Sequence, residues 1–198
     1  MPRADSAIPA AEPSSEATDE YLQDKARERQ DGSVCRAGDR PDMTETPAPL
    51  TAAVAELARH VGARLGPSRW VTIDQPMIDQ FAALTGDDHW IHVDPARARR
   101  ELPSGKTIAH GYLTLALVTR LMGELLDIRF TRALNYGHDR LRFTGAVPAG
   151  ARVRLRATIL RAEPVKDGGV RLTTECTMEI EGEARPALVA ETIAVFYP

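Results

Sequence analysis

His110-Gly111-Tyr112-Leu113-Thr114-Leu115-Ala116-Leu117-Val118-Thr119-Arg120-Leu121-Met122-Gly123-Glu124-Leu125-Leu126 is the stretch on which the fold turns. Apart from Arg120 and Glu124 it carries no charge past His110. Residues 111–126 therefore read as a helix that is apolar almost all round and buried. The stretch is too short and too interrupted to be a membrane span. Such a helix needs a surface to lie on, and the chain downstream supplies strands. Segments 130–136 and 139–144 are short strand candidates. Val153-Arg154-Leu155-Arg156-Ala157-Thr158-Ile159 alternates cleanly after the turn signal Pro148-Ala149-Gly150. Asp167-Gly168-Gly169 is a hairpin signal before a strand over 170–181, and 188–197 makes the last strand. Helices first and an antiparallel meander afterwards argue an α+β fold, with one buried helix against a curved sheet. No internal repeat is visible, so one fold unit is expected.

Upstream, residues 50–65 show helical spacing at Val54, Leu57 and Val61, with Gly66-Pro67 as the stop. Trp70-Val71-Thr72-Ile73 reads as a short strand. Asp74 is placed to cap a helix over 75–85, with Met77, Phe81 and Leu84 on one face and Gly86 as its end. Asp94-Pro95 is an N-cap and first-turn pair for a short helix through Arg100. Residues 1–48 are rich in Pro, Ser, Glu, Asp, Arg and Ala, with Tyr21 the only aromatic. Such a segment buries too little apolar surface to offset its ordering entropy. A disordered tail over 1–48 and a single domain over 49–198 are expected, with Met43 as an alternative start.

The formal net charge is −3 and hydrophobic residues make up 43% of the chain. This gives no electrostatic case for nucleic acid or a charged membrane surface. Cys35 and Cys176 lie far apart in unlike contexts, which favours two reduced thiols. No signal-peptide core opens the chain. The expectation is a soluble, cytoplasmic protein.

Asp87-Asp88-His89-Trp90-Ile91-His92-Val93-Asp94 holds the chemistry. A carboxylate at 87 and an imidazole at 92 can share a water and move its protons. His110-Gly111 opens the buried helix, where a bare backbone N–H can meet an anion or a developing oxyanion. Together these residues point to adding water to, or removing it from, a carbonyl-activated substrate. A plainer reading stands beside this one: Asp87 caps a turn, His92 packs beneath it, and Gly111 serves a close helix–strand contact. Asp94 is already used as a cap, and Asp88 reads as solvated. Asp87, Asp88, His89, His92 and His110 are metal-ligand types, but their spacing fits no zinc or di-metal pattern, so no metal is expected. Arg140, Arg142, Arg152, Arg154 and Arg156 read as solvated strand faces, and Trp90 and Phe143 as core or pocket wall. No Ser sits on a glycine-flanked elbow, so a nucleophilic triad is unsupported.

From about residue 50 onward the chain resembles the MaoC-like dehydratases, the (R)-specific enoyl-CoA hydratases of hotdog fold. The resemblance is densest over Phe81-Ala82-Ala83-Leu84-Thr85-Gly86-Asp87, His92-Val93-Asp94-Pro95 and Thr107-Ile108-Ala109-His110-Gly111. Trp90-Ile91-His92 and Asn135-Tyr136-Gly137 are most similar to the nodulation-protein-N-like branch. The resemblance implies a bent antiparallel sheet around the helix at 110–126, paired edge to edge in a homodimer. It implies reversible syn hydration of a trans-2-enoyl thioester to the (R)-3-hydroxyacyl thioester. Asp87, His92 and the Gly111 N–H would be catalytic. His89, Trp90, His110, Tyr112 and Asn135 would contact substrate, and the acyl carrier would be CoA or acyl-carrier protein. No cofactor is implied. Two residues depart from the pattern: His89 stands where many members have Asn, and Ala116 where many have Ser. Two rival readings remain, a hotdog acyl-CoA thioesterase and a non-catalytic acyl-CoA-binding subunit.

Overall fold

The computed structural model describes residues 47–198. The expected tail over 1–48, with Met43 and Cys35, falls outside them except for its last two residues. In chain order the elements are β1 (Leu50–Ala53), a 3-10 helix (Val54–His60), β2 (Arg64–Leu65), β3 (Val71–Ile73), α1 (Gln75–Thr85), α2 (Trp90–Val93), α3 (Pro95–Glu101) and α4 (Gly111–Met122). Then follow β4 (Leu126–Arg129), β5 (Arg132–Phe143), β6 (Ala151–Pro164), β7 (Val170–Ile180) and β8 (Leu188–Tyr197).

The main sheet is antiparallel and runs β2-β6-β7-β8-β5, with β3 also paired to β6. Alternation along β6 sends Val153, Leu155, Ala157 and Ile159 to the covered face. Helix α4 supplies the other half of that core through Leu113, Leu117, Val118 and Leu121. Burying each such aliphatic side chain stabilises the fold by roughly 1.5–3 kcal/mol. A sheet wrapped on one long helix is the hotdog arrangement, and the fold class is α+β as expected.

Three local expectations need correction. The helix expected over 50–65 is instead β1, a 3-10 helix and β2. Leu50 and Ala52 pair in parallel with Leu126 and Ile128 of β4, a long-range pairing that overrides the local helical spacing. Helix α4 stops at Met122, because Gly123 begins the turn into β4, and it is covered on one face only. Tyr112, Ala116, Thr119 and Arg120 are exposed. Finally, the two candidates at 130–136 and 139–144 are one strand, β5. Its register against β8 shifts between Asn135 and Gly137 and again between Asp139 and Arg142, where Arg140 takes φ 50°. Two bulges break the period of two, and with it the local strand signal.

Two smaller corrections follow. The buried face of α1 is Ile78 and Ala82, with Met77 and Phe81 half-buried and Leu84 exposed. Arg154 is buried rather than solvated. Its Nε donates to Glu179 at 2.6 Å, and its guanidinium lies 4.4 Å from the centre of the Trp70 ring. Cys176 is buried, and burial pushes its thiol pKa up.

Candidate active site

Asp74 accepts a hydrogen bond from Met77 N–H at 3.0 Å and starts α1. Gly86 ends it at φ 75°, its N–H donating to Ala82 O at 2.8 Å. This left-handed turn throws the chain clear of the helix, and Asp87 becomes the first residue of the loop. One turn of helix, α2, then carries His92 inward: Asp87 is exposed and His92 is buried. Asp94 caps α3 by accepting from Arg97 N–H at 2.9 Å, as expected.

Segment 107–109 runs beside the β5–β6 connection. Ala109 N–H donates to Val147 O and Ala149 N–H to Thr107 O, each at 2.8 Å. This extended segment delivers His110 to the head of α4. The structure thus brings together Asp87, His92 and His110. A carboxylate oxygen of the first and a ring nitrogen of each histidine lie within 4.8 Å of one another. The two imidazoles stack with centroids 3.8 Å apart and planes 26° apart.

Hydrogen bonding assigns both tautomers. His92 Nδ1 lies 2.7 Å from Ile108 O, a carbonyl with no proton to give, so Nδ1–H donates. The neutral ring then carries its lone pair on Nε2. His110 Nε2 lies 2.8 Å from Asp87 O, so there Nε2–H donates and Nδ1 is bare. That Nδ1 is buried and meets no partner among the described residues. Burial is the main reason His92 titrates below an ordinary histidine. The Ile108 carbonyl and Asp87 oppose the shift, while His110 and His89 add to it. His92 is therefore neutral near pH 7 and able to accept a proton.

The same stacking argues against a metal centre. An imidazole ligand holds a metal in its own ring plane, at about 2.1 Å from nitrogen. Two rings stacked 3.8 Å apart with only 26° between their planes do not share such a point. Asp88 and His89 lie outside this group.

Gly111 follows His110 as the first residue of α4, and its N–H has no intrahelical acceptor. A Cβ at this position would sit 3.0 Å from the Phe143 ring. The close helix–strand contact is thus present, and no side chain caps the helix N-terminus among the described residues. Tyr112 is exposed, its ring edge-on to Phe143 at 5.6 Å. His89 is exposed beside Trp90, with ring centroids 5.8 Å apart. Trp90 is half-buried, and the Arg97 guanidinium covers its ring at 4.1 Å.

Two residues expected to contact substrate stand elsewhere. His110, 2% exposed, is packed inside the cluster rather than lining it. Asn135 lies on β5 opposite Ala194, eight residues before Phe143. Asp87, His92 and His110 come together without it. His92 is held by Gln75, Thr107 and the Ile108 carbonyl, whose partners are 16 to 32 positions away. The family-like stretch contains Thr107 and Ile108 without giving them this role, and no local pattern marks Gln75.

Residues 56–179 match the MaoC like domain family. The chain belongs to this family. It is similar to 3-hydroxyacyl-thioester dehydratase Z of Mycobacterium tuberculosis, at 46% identity over 141 residues covering 71% of this chain and 93% of that protein. Nodulation protein N of Rhizobium leguminosarum bv. viciae is 44% identical over 145 residues, covering 72% and 89%. Among solved structures, the (R)-hydratase from A. caviae involved in PHA biosynthesis is 25% identical with a TM-score of 0.55, covering 70% of this chain and 96% of that one. In this MaoC-like domain the departure at position 116 falls on the exposed face of α4, one turn past Tyr112. The departure at 89 falls on the residue that precedes α2. No described helix is long and apolar enough to cross a membrane.

Proposed function

We propose that this MaoC-like domain is a hydro-lyase that reversibly hydrates trans-2-enoyl thioesters to (R)-3-hydroxyacyl thioesters. One observation carries the reading. Asp87 and His92 present two acceptors, a carboxylate and a bare Nε2, and the next residue after His110 is Gly111, whose N–H has no partner among the described residues.

A water between the two acceptors donates one hydrogen to each and keeps an oxygen lone pair for attack. As that oxygen bonds to the β-carbon, one water O–H bond breaks and its proton passes to the Asp87–His92 pair. The alkene π electrons move toward the thioester, and negative charge builds on its oxygen. The Gly111 N–H, at the positive end of α4, stabilises that charge; one such donor is worth about 3–4 kcal/mol. The pair then returns a proton to the α-carbon from the same face, so addition is syn. Dehydration is the reverse. Similarity to a 3-hydroxyacyl-thioester dehydratase and to an (R)-hydratase supports the substrate class.

The carrier is CoA or an acyl-carrier protein, and the site of action is the cytoplasm, where such thioesters are made. The catalytic unit is 49–198. It acts as a homodimer: β5 is a 12-residue edge strand with Leu134 and Tyr136 exposed, and pairing would cover that edge. His89, Trp90, Tyr112 and Asn135 contact substrate in this assembly, Asn135 from the β5 edge strand. The test is hydration of short trans-2-enoyl-CoA substrates, with product stereochemistry determined. Formation of the (R)-3-hydroxyacyl product supports the reading. Release of free thiol without hydration would replace it with a thioesterase.

A further inference from the structure

We infer that Gln75 and Thr107 form a positioning pair that fixes the ring orientation of His92, an inference that rests on the catalytic reading of His92 given above. Gln75 is the first residue of α1 and is half-buried. Its side-chain amide has three partners. Nε2 donates to the main-chain oxygen of His92 at 2.8 Å and to the Asp79 carboxylate at 2.7 Å. Oε1 accepts from the Thr107 hydroxyl. Both oxygens facing Nε2 are pure acceptors, so the amide has one satisfying orientation. Asp79, one turn along α1, locks that orientation from the outer side.

Thr107 is 1% exposed, so its hydroxyl has no water to turn to. The next residue, Ile108, accepts from the His92 ring at 2.7 Å and donates its N–H to Ile91 O at 3.0 Å. The bonds close a circuit. It runs from the Gln75 amide to the His92 carbonyl, through the His92 ring to Ile108, back along the chain to Thr107, and from its hydroxyl to Gln75. Both ends of His92, main chain and imidazole, hang from this circuit. Thr107 is itself tied down by Ala149 N–H.

The circuit has a chemical consequence. The Ile108 carbonyl accepts a proton only from Nδ1, and this holds the lone pair on Nε2. If Ile108 shifts, the ring can rotate or exchange tautomers, and the shared water loses an acceptor. Gln75 and Thr107 touch neither substrate nor water in this account; they act through His92.

The test uses the full chain with Thr107→Val, Thr107→Ser and Gln75→Ala. Turnover of a short trans-2-enoyl-CoA is measured alongside the imidazole 15N–1H spectrum of His92. Wild type is expected to show one tautomer, protonated at Nδ1. Misplacing a catalytic group by about 1 Å costs on the order of 100-fold, so Thr107→Val is expected to lower kcat by roughly 10- to 100-fold. KM should change little, and His92 should show mixed tautomers. Thr107→Ser, which keeps the hydroxyl, should recover most of the turnover and the single tautomer. Gln75→Ala, at a half-buried helix start, should fold and repeat the Thr107→Val result, and the double variant should be no worse than either single one. An unchanged His92 spectrum in Thr107→Val and Gln75→Ala, or unchanged kcat in both, would overturn the inference. A wild-type chain with no hydratase activity would remove the catalytic reading; loss of the single tautomer in the variants would still uphold the positioning pair.

Discussion

The imidazoles of His92 and His110 lie face to face, 3.8 Å between centroids, and each ring donates to a main-chain carbonyl, His92 to Ile108 and His110 to Asp87. Burial first, then the neighbouring rings, keeps His92 below its ordinary value of 6.5, against the pull of Ile108 O and Asp87. The acid limb of the kcat/KM profile should therefore fall below pH 6.5. The stability consequence has a definite sign. Between the folded pKa and 6.5 the unfolded chain binds more protons at His92, so stability is complete above 6.5 and is lost as pH falls toward the folded value. Denaturant titrations at stepped pH, with His92→Gln as control, measure this; an equal slope in both proteins would contradict it.

A Cβ on Gly111 would lie 3.0 Å from the Phe143 ring, close enough that the ring must give by a few tenths of an ångström. Phe143 is 44% exposed, so its ring has room to swing. Gly111→Ala should cost about 1 kcal/mol, the low end for overpacking, read as a lower Tm. Adding Phe143→Ala should remove that penalty. A penalty that persists in the double variant would place the strain elsewhere.

His110→Phe keeps an aromatic face against His92 and deletes the donor to Asp87 O. Since Asp87 is exposed, water can replace the lost bond, and the stability cost should be only about 1 kcal/mol. Turnover should fall further, by roughly tenfold, because the Asp87 loop is no longer tied to the helix head. Equal activity in variant and wild type would show that the loop holds itself.

The caps and the meander were legible because their signals are local. Asp74, Gly86 and Asp94-Pro95 act within one turn of chain, and the alternation at 153–159 reports one face of one strand. The β1–β4 pairing was not legible, because Leu50 and Leu126 meet only after α4 has folded back. Nor was the single β5 strand, whose bulges near Asn135 and Arg140 shift its register against β8 and whose residues are nearly all exposed. At the site, the proximity of Asp87, His92 and His110 followed from a family pattern, and spacing alone left it open. The tautomers, the burial of His110 and the circuit through Gln75 needed coordinates, since each depends on a carbonyl or amide far away in sequence.

In the proposed hydration, the Asp87 carboxylate and His92 share one water. The measurement that tests this most directly is hydration of a short trans-2-enoyl-CoA by wild type and Asp87→Asn side by side, followed by loss of the conjugated thioester absorbance. Asn keeps the shape and removes the base, so the variant should stay folded and lose roughly 10²- to 10⁴-fold in kcat, the usual contribution of a positioned base. Wild-type turnover to the (R)-3-hydroxyacyl product, nearly abolished in the variant, is the predicted result. A folded Asp87→Asn protein that hydrates at the wild-type rate would contradict it.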